Sequence, residues 1–375
     1  MVGVALLGAG IFAREQHLPA IQFTPHLQLK AIYSRTRRTA SGLAAICPKP
    51  SAIDIYFDVD PDNENHIPSD KDRTNSLTAL LHRPDISAVI IALPITHQPT
   101  LIQQALKAGK HVLSEKPIAA DLAEGKRLME WYRHTLPGEL ELGKGMKLPL
   151  WGVAENYRFM DSLRWAAQRV GEIGGRLVAF RLVRYGFVGT GNKYFGTAWR
   201  KTPQYQGGFL LDGGVHFVAA LRMLLAAAGD ELFKVAGFSS LLEERLLPLD
   251  TINAVALTRK GVAGTIAISF GTEFKSGTEV EVITTNGSVC WSPTKVNTLK
   301  RKDGGPEDEK EEVSKWFPHS TGVKEEVAAF ARSMETGQLD ELLSLEEALK
   351  DLEVVQGLLD SGAEGGKMVT LKQGP

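Results

Sequence analysis

Two short stretches of this chain carry side chains whose types and spacing suit proton transfer. The first is Ser114-Glu115-Lys116-Pro117, directly after the apolar run His111-Val112-Leu113. A lysine ammonium beside a reacting hydroxyl stabilises the developing alkoxide and lowers the hydroxyl pKa. Pro117 restricts Lys116 to extended backbone angles, which limits where its side chain points. The second stretch is Asp212-Gly213-Gly214-Val215-His216, opening an apolar helix. Asp and His four apart share one helix face and can reach one small ligand, and the two glycines leave room for a ring. An imidazole ordinarily titrates near neutrality, so His216 could take or return a hydroxyl proton while Asp212 holds a neighbouring hydroxyl in register. Each stretch has a plain alternative: a surface lysine in a turn, and a core histidine paired to an aspartate.

What would accept the other product of alcohol oxidation, a hydride, is written at the start. Gly8-Ala9-Gly10-Ile11-Phe12-Ala13 matches G-x-G-x-x-A between a short apolar run and a helix. Gly8 makes the tight turn, Gly10 lets the backbone approach a pyrophosphate, and Ala13 lets helix and strand pack closely. Ile11 and Phe12 then bring the helix N-terminus to the phosphate charge. An NAD site usually carries an acidic residue at the end of the second strand. Here the sequence is Tyr33-Ser34-Arg35-Thr36-Arg37-Arg38. A hydroxyl and guanidinium groups suit a 2′-phosphate, with Ser34, Arg35 and Arg38 as candidates, so NADP is expected before NAD.

The elements that must position these residues read as two domains, 1–155 and 156–375. In the first, Val2–Leu7, Leu27–Tyr33, Ile86–Leu93 and His111–Leu113 read as buried strands alternating with helices, which implies a parallel sheet. Asp58–Asp72 is polar and turn-rich, so Pro48–Asp72 is expected to be a surface loop insertion. A helix is expected from Asp121 to His134 and a loop over Leu136–Pro149. In the second domain strand-like runs dominate: Arg176–Gly186, Val235–Leu242, Thr251–Thr258, Val262–Phe270, Glu279–Thr285 and Ser288–Trp291. Asn286-Gly287 is a hairpin dipeptide. A mostly antiparallel sheet with one helix, near Val215–Ala226, follows. Asp303–Glu312 reads as a solvated hairpin tip, and Leu345, Leu349, Leu352 and Leu359 line one face of a final helix.

Composition narrows the partners. Lys plus Arg number 43 against 44 Asp plus Glu. That balance argues against nucleic acid or acidic lipid, whose phosphates demand a basic surplus. Cys47 and Cys290 are too few for a disulfide framework or a structural zinc site, which fits a reducing, cytoplasmic setting. No secretory signal is visible, and the apolar stretch Phe209–Ala228 is broken by Asp212, His216 and Arg222, which points to a buried segment and no membrane span.

The combined motifs resemble the glucose–fructose oxidoreductase, inositol dehydrogenase and rhizopine-catabolism family, Gfo/Idh/MocA. The matching stretches are Gly8–Ala13, Ala88–Pro94, Ala105–Pro117, Glu155–Phe159, Trp199–His216 and Ser344–Ser361, in family order across nearly the whole chain. The resemblance implies a Rossmann domain, then an α/β domain with a large open, mostly antiparallel sheet that is often a dimer surface. It implies roles for Lys116 and Asp212 in catalysis and substrate binding and for His216 as acid/base. It also implies Glu115 at the cofactor, Asn156 and Tyr157 near the substrate, and Arg200 either against a cofactor phosphate or simply packed. Where many members read T-P-N-x-x-H, this chain has Leu93-Pro94-Ile95-Thr96-His97-Gln98, so only backbone contact at Leu93 and Pro94 is expected, with His97 on the rim. The pattern is nearest the NADP-using dihydrodiol and xylose dehydrogenase-like branch. The expected activity is hydride transfer between NADP and a sugar, polyol or cyclic diol by a homodimer or larger homo-oligomer. The alternatives are a non-catalytic NADP sensor of the same fold and an oxidoreductase that retains NADP between turnovers.

Overall fold

A computed structural model describes residues 1–59, 75–141, 147–302 and 309–372. Most of the polar stretch 58–72 and the hairpin tip at 303–308 therefore lie outside the described residues. The chain divides into two compact units.

The first unit comprises Met1–Ala119, Ala123–Ala154 and Val323–Leu345. Its sheet is parallel throughout: β1 (Val2–Leu7), β2 (Leu27–Thr36), β3 (Asp54–Val59), β4 (Ala88–Ile91), β5 (His111–Glu115) and β6 (Trp151–Ala154), in the order β3-β2-β1-β4-β5-β6. That order is the doubly wound dinucleotide-binding arrangement. The central strands are apolar without alternation because helices cover both faces; Val4 to Leu7 and Ala88 to Ile91 are all buried. Helices α1 (Leu18–Phe23), α2 (Arg37–Ala44), α3 (Leu77–Leu81), α4 (Gln98–Lys107), α5 (Leu122–Glu130) and α6 (Leu136–Glu139) follow the strands. Trp151, fully buried, ties β6 to β5 by donating from Nε1 to the Ser114 hydroxyl at 3.1 Å.

Two expectations change here. Pro48–Asp72 is not wholly a loop insertion: Asp54–Val59 is edge strand β3, with Tyr56 and Phe57 buried. Its flanking aspartates disguised a strand that exposes its acids at the sheet edge. The expected loop after Leu136 also begins with a helical turn, anchored by fully buried Leu136.

The second unit comprises Ala120–Leu122, Glu155–Gly322 and the residues from Glu346 onward. Its nine strands are β7 (Leu177–Tyr185), β8 (Leu232–Ser240), β9 (Thr251–Thr258), β10 (Ala263–Ser269), β11 (Gly277–Thr284), β12 (Gly287–Ser292), β13 (Lys295–Arg301), β14 (Lys310–Trp316) and β15 (Val369–Thr370). They pair in the order β14-β13-β12-β11-β7-β10-β9-β8-β15, antiparallel except for β7 with β10. The β11–β12 hairpin turns at Asn286, as its dipeptide requires. Register puts Val235, Ala256, Ile266, Leu182, Val280, Trp291 and Val296 on one buried face. The other face carries Phe238, Val255, Arg181, Glu281, Cys290 and Leu299, of which Phe238 and Val255 are 68% and 52% exposed.

More than the one expected helix covers the buried face. A second is α7 (Asp161–Ile173), whose buried Leu163, Ala166 and Val170 recur at helical spacing. Trp291 on β12 donates to the Ser162 hydroxyl at its start. Short turns α8 (Ala198–Lys201) and α9 (Phe209–Asp212) lead into α10 (Gly214–Ala227). Phe209–Ala227 is long and apolar enough to cross a membrane by composition, but 72% of it is buried within the fold. Helix α11 (Val323–Thr336) belongs to the first unit, where the Lys324 ammonium lies 4.1 Å from the Phe23 ring centroid. Helix α12 (Leu345–Ala363) buries Leu345, Leu349, Leu352 and Leu359 as its spacing implies.

Candidate active site

The glycine turn follows β1 directly. Gly8 has φ +122°, and a Cβ there would fall 2.2 Å from the Ala92 carbonyl oxygen beyond β4, so glycine is obligatory for the fold. Gly10 differs: a Cβ there would meet nothing within 4 Å. Protein packing does not require glycine at Gly10, whereas close approach by a ligand would. The helix begins at the next residue, with Arg14 N–H bonding the Gly10 carbonyl at 3.0 Å, so Ile11 and Phe12 lie in the first turn with its unsatisfied N–H groups. Ala13 is buried against the sheet. This cradle fits a dinucleotide pyrophosphate.

At the end of β2, Ser34 is buried and shares a 2.7 Å hydrogen bond with the Thr39 hydroxyl. Thr36 caps α2 by accepting from the Thr39 N–H. Arg35, Arg37 and Arg38 are exposed. A carboxylate does stand nearby, contributed by the neighbouring edge strand: Asp58 accepts from the Tyr33 hydroxyl at 2.5 Å. Burial, reinforced by Asp58, raises the pKa of that phenol well above its ordinary value.

Lys116 stands just past β5, part-exposed, with a cis peptide to Pro117. Leu93 and Pro94 are half-buried after β4. The carboxyl ends of β2, β1, β4 and β5 are adjacent, so Ser34, Gly8, Leu93, Pro94, Glu115 and Lys116 gather at one end of the sheet, where open parallel sheets bind ligands. His97 is exposed. His17, fully buried and 98 residues from its partner, bonds through Nε2 to Glu115 Oε1 at 2.6 Å and takes the Phe12 ring edge-on at 5.3 Å. It was not anticipated from the sequence; an i+9 histidine after the glycine turn has no local pattern to announce its partner.

In the second unit, α9 and α10 run on helically through Gly213, so Asp212 and His216 share a face as expected. They are not paired to each other. Asp212 accepts from Arg200 Nε at 2.6 Å; His216 Nδ1 meets Glu155 Oε1 at 2.7 Å. Glu155 is 1% exposed. When Glu155 is ionised it can only accept, so Nδ1 then carries the hydrogen and Nε2 of the neutral ring is the acceptor. Tyr157 stacks on the imidazole at 4.7 Å and 14°, fixing the ring plane. Burial first, and then the Glu155 charge, push the Tyr157 phenol up to about 12, so it is protonated at neutral pH and is no base there.

Arg200 lies 3.9 Å from the Trp199 ring centroid and 5.2 Å from that of Tyr194 while it holds Asp212. Trp199 in turn stands 6.0 Å from Tyr205. Trp199 and Tyr194 thus flank the Arg200–Asp212 pair. Asn156 donates to the Thr321 carbonyl at 2.5 Å. Arg158, 2% exposed, pairs with Asp351 on α12, which also takes Arg222 of α10; Arg222 holds Glu347 at 2.8 Å as well. This buried ion cluster fixes the turn that carries Glu155 and Tyr157 to the helix that carries His216. Among the described residues, no cluster of His, Cys, Asp and Glu is arranged to hold a metal.

Comparison with known proteins agrees with this architecture. Residues 2–135 match the oxidoreductase family with an NAD-binding Rossmann fold, and residues 170–371 match its C-terminal α/β domain. Dehydrogenase FPY6 of Fusarium mangiferae is 48% identical over 99% of both chains. D-xylose 1-dehydrogenase (NADP(+)) 2 of Haloferax volcanii is 24% identical over 98% of both. An oxidoreductase of Thermotoga maritima superposes with a TM-score of 0.78 at 26% identity, covering 99% of this chain and 98% of that one. With both of its domains matched in order on the fold described above, the chain belongs to the Gfo/Idh/MocA oxidoreductase family.

Proposed function

We propose that the protein is an NADP-dependent dehydrogenase or reductase acting on a CH–OH group of a sugar, polyol or cyclic diol. The observation that carries this reading is the buried Glu155–His216 pair, beside Asp212 on the same helical face. A histidine held by a carboxylate at one nitrogen, with the other left as acceptor, is built to move a proton. A protein that only sensed the dinucleotide would have no use for it.

The bound nicotinamide supplies hydride acceptance and donation. His216 Nε2 takes the hydroxyl proton in oxidation and returns it in reduction. Lys116 stabilises the alkoxide, and also contacts the cofactor with Glu115, which His17 holds in place. Asp212, oriented by Arg200, accepts from a second substrate hydroxyl, and Asn156 and Tyr157 line the same site. Gly8, Gly10, Ile11, Phe12, Leu93 and Pro94 form the backbone cradle. Ser34, Arg35 and Arg38 take the 2′-phosphate, a preference consistent with the NADP in the Haloferax relative's name, while Asp58 accepts from the Tyr33 hydroxyl. We assign the dinucleotide domain to residues 1–155 and the substrate domain to 156–375, except that Val323–Leu345 belongs to the first compact unit and Glu155 to the second. The face bearing Phe238 and Val255 is the surface of a homodimer, and the enzyme works in the cytoplasm.

The test is isotope transfer. With aldose deuterated at C1 and NADP, the account expects deuterium on the nicotinamide ring of the product. An NADPH titration should lose at least tenfold in affinity on Arg35→Ala while NADH binding hardly changes. Deuterium that never reaches the ring across sugars, polyols and diols would defeat the enzymatic reading; equal loss of both nucleotides would defeat the 2′-phosphate assignment.

A further inference from the structure

The second unit holds several inward-facing arginines, and all but one meet a carboxylate. Arg158 and Arg222 pair with Asp351, and Arg200 with Asp212. Arg184, at the end of β7 on the helix-covered side, is the exception: among the described residues no carboxylate comes within ion-pair distance. Its guanidinium lies over the rings of Phe217 at 5.4 Å and Phe270 at 5.7 Å, and Nη1 donates to the Tyr185 carbonyl. Nε and Nη2 make no hydrogen bond to the described protein, and neither is sealed from solvent. Gly186 makes room for this fold-back, since a Cβ there would stand 2.4 Å from Nη1. Burial pulls the Arg184 pKa down, offset only in part by Tyr157 and by no carboxylate.

The position ties this cation to the proposed acid/base group. Phe217, under Arg184, meets Tyr157 edge-on at 5.7 Å, and Tyr157 stacks on His216. Phe270, the other ring beneath Arg184, would touch a Cβ on Gly213 of the D-G-G-V-H stretch at 2.8 Å. A half-buried guanidinium on an apolar aromatic floor, with Nε and Nη2 making no protein hydrogen bond, is costly unless an anion completes it.

We infer that Arg184 is a specificity residue that binds an anionic substituent, a carboxylate or a phosphate, on the substrate presented to His216. The inference rests on the reading of His216 and Asp212 as substrate residues and narrows the substrate from a neutral to an acidic sugar or polyol.

The experiment uses the full chain saturated with NADP and three probes: D-glucuronate, D-glucose 6-phosphate and neutral D-glucose. Melting temperature and kcat/KM are measured for the native protein, Arg184→Met and Arg184→Lys, with melts lacking sugar to verify folding. At least one acidic probe should raise the native melting temperature where glucose does not. Arg184→Met should abolish the rise and Arg184→Lys keep part of it. Where turnover occurs, the acidic-to-neutral ratio of kcat/KM should fall about 10- to 100-fold in Arg184→Met, the loss of one charge-assisted contact. The two acids separate carboxylate from phosphate. Failure of both acids to bind better than glucose, or equal binding by Arg184→Met, overturns the proposal. Acid binding without turnover of any probe upholds it and counts against the dehydrogenase reading; turnover of glucose without acid binding does the reverse.

Discussion

Replacing Glu155 by glutamine probes the proposed proton relay with little change in volume. Glu155 is 1% exposed and its Oε1 lies 2.7 Å from His216 Nδ1, a bond made shorter and stronger by charge as the imidazolium forms. Hydrogen bonds to charged groups contribute about 1.5–3 kcal/mol. At about 1.4 kcal/mol per decade, losing that contribution in the transition state lowers kcat about 10- to 100-fold. The loss is larger if the new amide presents its NH2 to Nδ1, because the proton then moves to Nε2 and the base is blocked; a comparable swap in a serine protease triad costs about 10⁴. The assay is steady-state kinetics with kcat and KM resolved, beside 15N NMR of the His216 ring. The account expects kcat to fall with KM within threefold, and the Nδ1–H form to lose its dominance in Glu155→Gln. An unchanged kcat with only a lowered melting temperature would refute the reasoning and leave Glu155 a structural acid.

Other outcomes follow from the same geometry. Gly10→Ala should fold with an unaltered melting temperature yet bind NADP at least tenfold more weakly, because its Cβ meets no protein atom; Gly8→Ala should lose several degrees, since its Cβ collides with the Ala92 carbonyl at positive φ. Equal behaviour of the two in melting and titration would contradict this. Although burial works against it, Arg222 with Arg158 and Lys350 holds the Glu347 carboxyl below its ordinary 4.5. A carboxyl depressed in the folded state stabilises fully above its ordinary value, and that contribution is lost as pH falls from there through the lower folded-state pKa. Urea melts of Glu347→Gln should therefore depend less on pH than the native protein below about pH 4.5, and identical slopes would count against the ion cluster. Burial first, then Glu279 and Glu281, push the Cys290 thiol up to about 11. Iodoacetamide at pH 8 then finds about one thiolate in a thousand, and the labelling rate should climb about tenfold per pH unit up to pH 10; a rate already on its plateau at pH 8 would be inconsistent.

Motifs whose chemistry is local were readable from sequence, and partners brought in from afar were not. The turn at Gly8–Ala13, Lys116 beside Pro117 and the Asp212–His216 face each lie within a few residues, so spacing alone exposes them. Glu155 reaches His216 from 61 residues away and His17 reaches Glu115 from 98, and no periodicity links such pairs. Arg184 looks like any strand arginine until register puts it on the inner face. The same division holds for the fold. Uniformly apolar β1 and β4 were plain, whereas β3 was hidden by Asp54 and Asp58. Helix α7 carries its stripe in Leu163, Ala166 and Val170 within a region otherwise dominated by strand-like runs. Strand β14, charged and exposed throughout, and β13, with three cationic residues and only Val296 and Thr298 buried, offer little apolar alternation to find.

The central claim is that this chain catalyses hydride exchange with residues of both motifs in proton transfer. Its most direct test is absorbance at the reduced-nicotinamide band while purified protein meets aldoses, acidic sugars, polyols and trans-diols with NADP. Native protein, Lys116→Ala and His216→Ala would be run side by side at matched NADP occupancy. The account predicts turnover by the native protein that falls at least a hundredfold in each variant while NADP binding by His216→Ala persists. Turnover undiminished in both variants, or NADP bound with no turnover of any substrate, would contradict it.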